Sequence, residues 1–501
     1  MSPFATRLPS AGTIVAGLAV ALVVVAGLVV VMRRHRDAFP LLAVFTLPFR
    51  VPISTDGRTV NLLVPLYLVL AAGALVHLLP RLWRGRARSD AVDDGPSLLD
   101  TDFSPSRPSS WLSPRGVEWL LLVSVGLYAL QTLYSGDRAK AAENLAFFYV
   151  PFALLFAILR DVRWTRELLA RCLGVAVALA VLFAGVGFVE YYRKSLLLNP
   201  KVVSADQYDN YFRVNSVFFD PSIYGRFLAL VMIAVTVVVL AGRRAARADS
   251  RDGAGSAAAS GGEGRRDALA GAAVLAWLLA GLVTSFSQSS IAALLLGLAV
   301  LGAWCWGVRA TVYVSGALLA LAAAVVLLAP TSLHFGLKGS SGSASNATSG
   351  RTTLISGGLD LFAARPLEGY GSGSFETEYK RHSKASAASA ANATSASHTI
   401  PITIAAEQGI AGLAVYVALL AASFAVLFRG ATRSPARIAI AACFAALVLH
   451  TWVYADFLED PFTWTLLALG VALARRQATG MAGAAEVEPA AGAAGVPASS
   501  V

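Results

Sequence analysis

Ala11-Gly-Thr-Ile-Val-Ala-Gly-Leu-Ala-Val-Ala-Leu-Val-Val-Val-Ala-Gly-Leu-Val-Val-Val-Met32, followed at once by Arg33-Arg34-His35-Arg36, sets the reading of the whole chain. About 20 apolar residues are needed to cross a hydrocarbon core as a helix. This run meets that length and ends in a basic cluster instead of a small-residue cleavage site, so it reads as a retained membrane helix and not a removable signal. Twelve further runs follow it: Phe39–Ile53, Leu62–Leu79, Trp119–Leu133, Leu145–Leu159, Cys172–Val189, Ser222–Ala241, Ala268–Val283, Ser290–Trp306, Ala310–Leu328, Gly409–Phe428, Ile438–Tyr454 and Phe462–Ala474. Lipid offers the backbone no hydrogen-bond partners, so spanning segments that are not barrels are helices. The expected fold is therefore an all-α polytopic membrane protein with about 12–13 transmembrane helices. The uncertain run is Phe39–Ile53, which holds Pro40, Pro48, Pro52 and Arg50.

Composition agrees. Of 501 residues, 56% are hydrophobic and 14% charged, against roughly 25% charge in soluble domains. The net charge of +11 is carried in short turns between apolar runs, which fits membrane orientation and gives no support for nucleic acid as a partner. Alternate loops hold Arg33/Arg34/Arg36, the Arg81–Arg115 stretch, Arg160/Arg163/Arg166, Arg243–Arg266, Arg309, Arg429/Arg433/Arg437 and Arg475/Arg476. This set is expected in the cytoplasm. The arginine-poor set then faces outward: Ser54–Asn61, Tyr134–Asn144, Glu190–Pro221, Thr284–Ser289, Ala329–Gln408 and Ala455–Pro461.

The chain divides accordingly. Residues 1–38 are the first helix and its basic turn, and 39–328 an N-terminal bundle whose loops 88–114 and 243–266 read as disordered from their Asp/Ser/Pro and Gly/Ala/Ser/Arg content. Residues 329–408 are one long outward loop, 409–476 the last membrane helices, and 477–501 an unstructured tail. The outward loop is about 80 residues, far more than a connection requires. Helical periodicity runs through Arg351–Lys380, between Ser/Ala/Asn spacers at 340–350 and 384–397. The cysteines, Cys172, Cys305 and Cys443, lie in or beside apolar runs and show no disulfide or zinc spacing.

Two outward segments hold chemistry-bearing residues. Arg213 precedes Asp220-Pro221, an N-cap acceptor followed by the helix-starting proline, and Arg226 lies about one and a half turns further on. Two readings fit these arginines. Each can snorkel to lipid headgroups, or the pair can face a phosphate beside a helix N-terminus. The second segment contains Arg351, Arg365-Pro366-Leu-Glu-Gly-Tyr-Gly-Ser-Gly373, His398 and Glu407-Gln-Gly-Ile-Ala-Gly412. His398, just before a membrane helix, titrates where proton transfer is useful at neutral pH. Glu407 can orient it or serve as a cap. The six histidines form neither HxxxH nor HExxH, so no metal site and no cofactor is expected.

The order Arg351-x-x-Leu354, Arg365-Pro-Leu-x-Gly-Tyr-Gly-x-Gly-x-Phe375, His398 and Glu407-x-Gly-Ile-x-Gly412, in a long outward loop between late helices, resembles the O-antigen ligase/O-antigen polymerase-like superfamily of membrane glycosyltransferases. The resemblance implies transfer of a glycan from an undecaprenyl-diphosphate carrier to a glycan, lipid or protein hydroxyl, on the outer side of the bacterial cytoplasmic membrane. It implies a metal-independent, inverting reaction. Arg213 and Arg351 would bind the diphosphate, and His398 would act on the acceptor hydroxyl. Arg226, Gln288, Arg365 and Glu407 would line the substrates. The family's Ser-Arg hairpin reads Thr284-Ser-Phe-Ser-Gln288-Ser-Ser290 here, with an uncharged Gln288. The competing reading is a polysaccharide transporter or flippase, which would be expected to carry midplane charges and internal repeats.

Overall fold

The computed structural model describes residues 11–55, 58–80, 110–197, 212–251, 257–328, 343–382, 397, 399–454 and 456–487. The helices are α1 (Ala11–Arg34), α2 (Ala38–Thr46), α3 (Val64–Gly73), α4 (Pro114–Thr132), α5 (Arg138–Asn144), α6 (Val150–Leu159), α7 (Arg166–Arg193), α8 (Pro221–Arg251), α9 (Ala257–Thr284), α10 (Gln288–Trp306), α11 (Val308–Leu328), α12 (Ser343–Ala364), α13 (Phe375–His382), α14 (Ile400–Phe428), α15 (Pro435–Val453) and α16 (Pro461–Val487). Eight described helical spans, one of them running from α5 through α6 (Arg138–Leu159), are long and apolar enough to cross a membrane, which makes the chain a multi-pass membrane protein. The other apolar runs are helical too, apart from Phe39–Ile53.

That run divides. After the short α2 the backbone turns extended and enters an antiparallel hairpin of β1 (Val51–Thr55) and β2 (Arg58–Leu62), with Val51 opposite Leu62 and Thr55 opposite Arg58. The prolines explain the break, since each removes a backbone donor and disfavours helix in the residue before it. Asp37 at the start of α2 pairs with Arg171 at 3.4 Å, whereas Arg50 reaches the opposite end of the bundle.

Helix starts follow a repeated local rule. Ser113-Pro114, Asp220-Pro221, Ser434-Pro435 and Asp460-Pro461 each place a polar residue before a proline that begins a helix. Asp220 and Asp460 accept the backbone N–H two residues on, at 2.6 and 3.0 Å. Such caps satisfy donors that a helix end leaves open. Helix also extends where composition alone pointed elsewhere. The α8 backbone runs to Arg251, α9 begins at Ala257 and α16 continues to Val487, because Ala and Arg are strong helix formers.

The core forms around α8, α10 and α15, which pack on one another. In α8 and α15, 72% of the apolar window is buried within the protein, against 6% in α1 and 17% in α9. These outer helices keep apolar side chains exposed, as lipid contact requires. At one end of the bundle, Glu118 pairs with Arg160 at 2.9 Å and with Arg475, and Arg476 donates to the Trp164 carbonyl. These contacts gather the arginine-rich loops together.

Candidate functional site

Most of the arginine-poor loops meet at a cavity of about 710 Å³. Its walls come from the extended segment after α2, the start of α5, the residues before α8, the Gly373–Lys380 stretch, the first turns of α14 and the Tyr454–Glu459 loop. Segments far apart in sequence thus converge on one cavity. The described lining is acidic on balance. Its cations are Arg50, Lys140 and Lys380. Lys140 is drawn to Glu143 at 3.1 Å and Lys380 to Glu376 at 2.5 Å. Arg50 instead lies over the Phe219 ring at 4.8 Å.

The glycine-rich signature is a backbone clasp. Gly369, Gly371 and Gly373 all have positive φ. Their segment bonds to a break in α14: Tyr370 N–H donates to Ala406 O at 3.1 Å, Gly371 N–H to Glu407 O at 2.8 Å, and Ile410 N–H to Pro366 O at 2.8 Å. The break is at Gly409, with φ +64°. A Cβ there would stand 2.3 Å from the Leu367 carbonyl oxygen, so only glycine permits this close approach. On its other side the clasp holds the loop before α5. Gly136 N–H donates to Tyr370 O, Ser135 Oγ to Ser372 O, and Tyr134 Oη to Glu368 O.

Glu407 belongs to this clasp. Its two carboxylate oxygens accept from Gly373 N–H at 2.9 Å and Phe375 N–H at 3.0 Å. It therefore fixes the turn and starts α13 from within the cavity wall. Arg365 is exposed and stacks on Tyr370, 4.6 Å from the ring centroid.

The first arginine loop meets the Thr284–Ser290 hairpin. Val214 N–H donates to Thr284 O at 3.2 Å, and Arg213 Nε to Ser285 O at 3.3 Å. Gln288, exposed at the start of α10, sits on the same hairpin. Arg213 and Gln288 are thus brought to neighbouring backbone, outside the lining of the cavity. Arg226 is 1% exposed and pairs with Asp460 at 2.8 Å. This ion pair ties α8 to the loop before α16. Burial raises the Asp460 carboxyl above its ordinary range, and the Arg226 charge opposes that shift. Arg351 lies on α12, whose side chains are described from Thr353 onward, and His398 lies outside the described residues.

Sequence reasoning missed the Tyr454–Asp460 loop as a site element. Asp456 and Glu459 both face the cavity. Burial, then repulsion from Asp456, holds the Glu459 carboxyl well above the usual carboxylate range, with Lys140 pulling the other way. A Leu-Glu-Asp-Pro ending on a helix start was visible in the chain, but nothing in its spacing linked Glu459 to residues some 300 positions earlier. No cluster of three or more His, Cys, Asp or Glu suited to a metal ion occurs among the described residues.

No curated protein matches the chain. Residues 273–417, which hold the Thr284–Ser290 hairpin, the glycine clasp and the α14 break, match the family model described as O-antigen ligase, and this supports placing the chain in the O-antigen ligase-like superfamily.

Proposed function

We propose that this protein transfers a glycan from an undecaprenyl-diphosphate carrier to an acceptor hydroxyl on the outer side of the bacterial cytoplasmic membrane. The reading is supported most by the convergence of arginine-poor loops on one polar cavity, together with the family match over residues 273–417. In this reaction the acceptor oxygen attacks the anomeric carbon, the bond from that carbon to the phosphate oxygen breaks, and the diphosphate leaves with the electron pair. One displacement inverts the anomeric configuration.

Arg213 and Arg351 bind the diphosphate and stabilise the charge that grows on it, the kind of preorganised donor that contributes most to such catalysis. His398 takes the proton of the acceptor hydroxyl or orients it. Gln288, beside Arg213 on the hairpin, offers a neutral hydrogen bond where related chains hold an arginine. Arg226, with its charge committed to Asp460, acts by positioning. Glu407 supports the wall through the clasp, and Arg365 stacks on Tyr370 of that clasp.

The test is transfer by the purified protein in lipid nanodiscs, with polyprenyl-diphosphate-linked glycan extracted from the host as donor. The expected result is release of carrier diphosphate and a new glycosidic bond, retained in the presence of a chelator. In sealed vesicles, movement of the intact lipid-linked glycan between leaflets with no new bond would replace this reading with a flippase.

A further inference from the structure

Four glutamates line the cavity: Glu143 and Glu376 face Lys140 and Lys380, while Glu407 and Glu459 have no lysine partner and differ in what their oxygens touch. Both oxygens of Glu407 are taken by backbone N–H groups. Glu459 has one partner: its Oε1 accepts from Asn144 Nδ2 at 2.9 Å. The same amide nitrogen donates to the Tyr128 hydroxyl at 3.1 Å, so its hydrogens are spent. Tyr128 in turn stacks on Tyr149 with ring centroids 4.0 Å apart. Next in the chain, Asp460 is anchored by Arg226 and by the Phe462 N–H. Glu459 is thus held from both sides, and its Oε2 has no protein partner among the described residues.

Asn144 adds a second, independent sign. It is 4% exposed and lines the same cavity, yet its Oδ1 is buried with no hydrogen-bond partner. Buried acceptors left open in a native fold are satisfied by water or by a ligand. Aromatic faces stand nearby, with Tyr149, Tyr416 and Phe457 in the wall. The cavity volume falls in the range of small-molecule sites. A diphosphate is repelled by this carboxylate-rich wall. A neutral, polyhydroxylated ring suits it, because its hydroxyls donate to carboxylate and amide oxygens while its C–H face packs on aromatic rings.

We infer that this wall binds the acceptor glycan, with a pyranose hydroxyl donating to the free oxygen of Glu459 and a second satisfying Asn144. The assignment rests on the glycosyltransferase reading above and adds to it the place and chemistry of acceptor binding. Glu459 is a binding residue here, and the proton goes to the group that acts on the attacking hydroxyl.

The test uses the full-length protein in nanodiscs and, as probe, the glycan released by mild acid from the host's own envelope. Binding is measured directly, and transfer rates are measured against acceptor and donor separately. At a pH above the Glu459 titration, Glu459→Gln is expected to weaken probe binding and raise the acceptor KM by about tenfold to a hundredfold, the scale of one hydrogen bond to a charged group. The donor KM and kcat should stay within a few-fold. In the wild type, acceptor affinity should increase as pH rises through the elevated Glu459 titration, because the ionised carboxylate is the better acceptor. Burial, then Asp456 and Glu407, push that titration up, while Lys140 and Arg50 pull it down. Glu459→Gln should flatten the profile.

Should Glu459→Gln fail to accumulate, Glu459→Asp is expected to keep the pH dependence with weaker binding. Wild-type affinity and an unchanged pH profile in Glu459→Gln would overturn the assignment and leave the transferase reading intact. Probe binding that depends on Glu459, with no transfer by the wild type, would do the reverse.

Discussion

The glycine clasp around Gly369–Phe375 and the Tyr454–Asp460 loop wall the same cavity, but they are held in different ways. The clasp is a network of backbone hydrogen bonds, with α14 broken at Gly409 to receive it and Glu407 closing it. The loop is held by side chains: Asp460 by Arg226, and Glu459 by Asn144. Backbone clasps need particular residues only where geometry forces them, so they leave a recognisable glycine pattern. Side-chain anchors need partners from remote elements, so they leave almost none. A glutamate saturated by backbone is architecture, while a glutamate with one open oxygen can meet a ligand.

The largest expected effect lies outside both regions and calibrates them. His398→Ala should lower turnover by about 10²–10⁴-fold, the usual worth of a positioned general base, with protein abundance unchanged. His398→Gln separates orientation from basicity. Wild-type rates in both variants would move the proton-accepting role to another group and set the cavity carboxylates among the candidates.

Arg226→Ala comes next. It leaves Asp460 buried without its cation, and breaking a buried pair typically costs about 3–5 kcal/mol. Thermal stability in detergent should fall sharply, and the acceptor KM of any surviving protein should rise because the Glu459 loop loses its anchor. Replacing both partners by apolar residues should recover most of the stability without restoring the KM. Unchanged stability in Arg226→Ala would mean that the loop is held by its cap alone.

Gly409→Ala should destabilise by about 1–3 kcal/mol or more, from the left-handed backbone and the clash with Leu367 O. The damage should extend to both acceptor and donor kinetics, since the clasp positions the loop before α5 as well. A selective rise in acceptor KM alone would show that the two regions are less separate than their contacts indicate.

Glu407→Gln should have the smallest effect of these, about 1–3 kcal/mol of stability for weakened acceptors facing two buried N–H groups. Its acceptor KM should remain near wild type, in contrast to Glu459→Gln. If the two variants changed acceptor KM equally, the distinction between a saturated and an open carboxylate would fail.

The amino-acid sequence alone determined the helical membrane architecture, the segregation of arginine-rich from arginine-poor loops, the proline-marked helix starts and the order of the loop signature. These follow from local properties. Apolar length, charge near the membrane and backbone restriction are written residue by residue, and each acts within a turn or two of its own position. Only the tertiary structure decided that Phe39–Ile53 bends into a hairpin leading Arg50 to the cavity, that Glu407 serves the clasp, and that Glu459 meets Asn144 across 315 positions. Whether a carboxylate is saturated or open depends on which remote donors folding brings within about 3 Å of it. Neither spacing nor composition encodes that distance, so it exists only once the helices have packed.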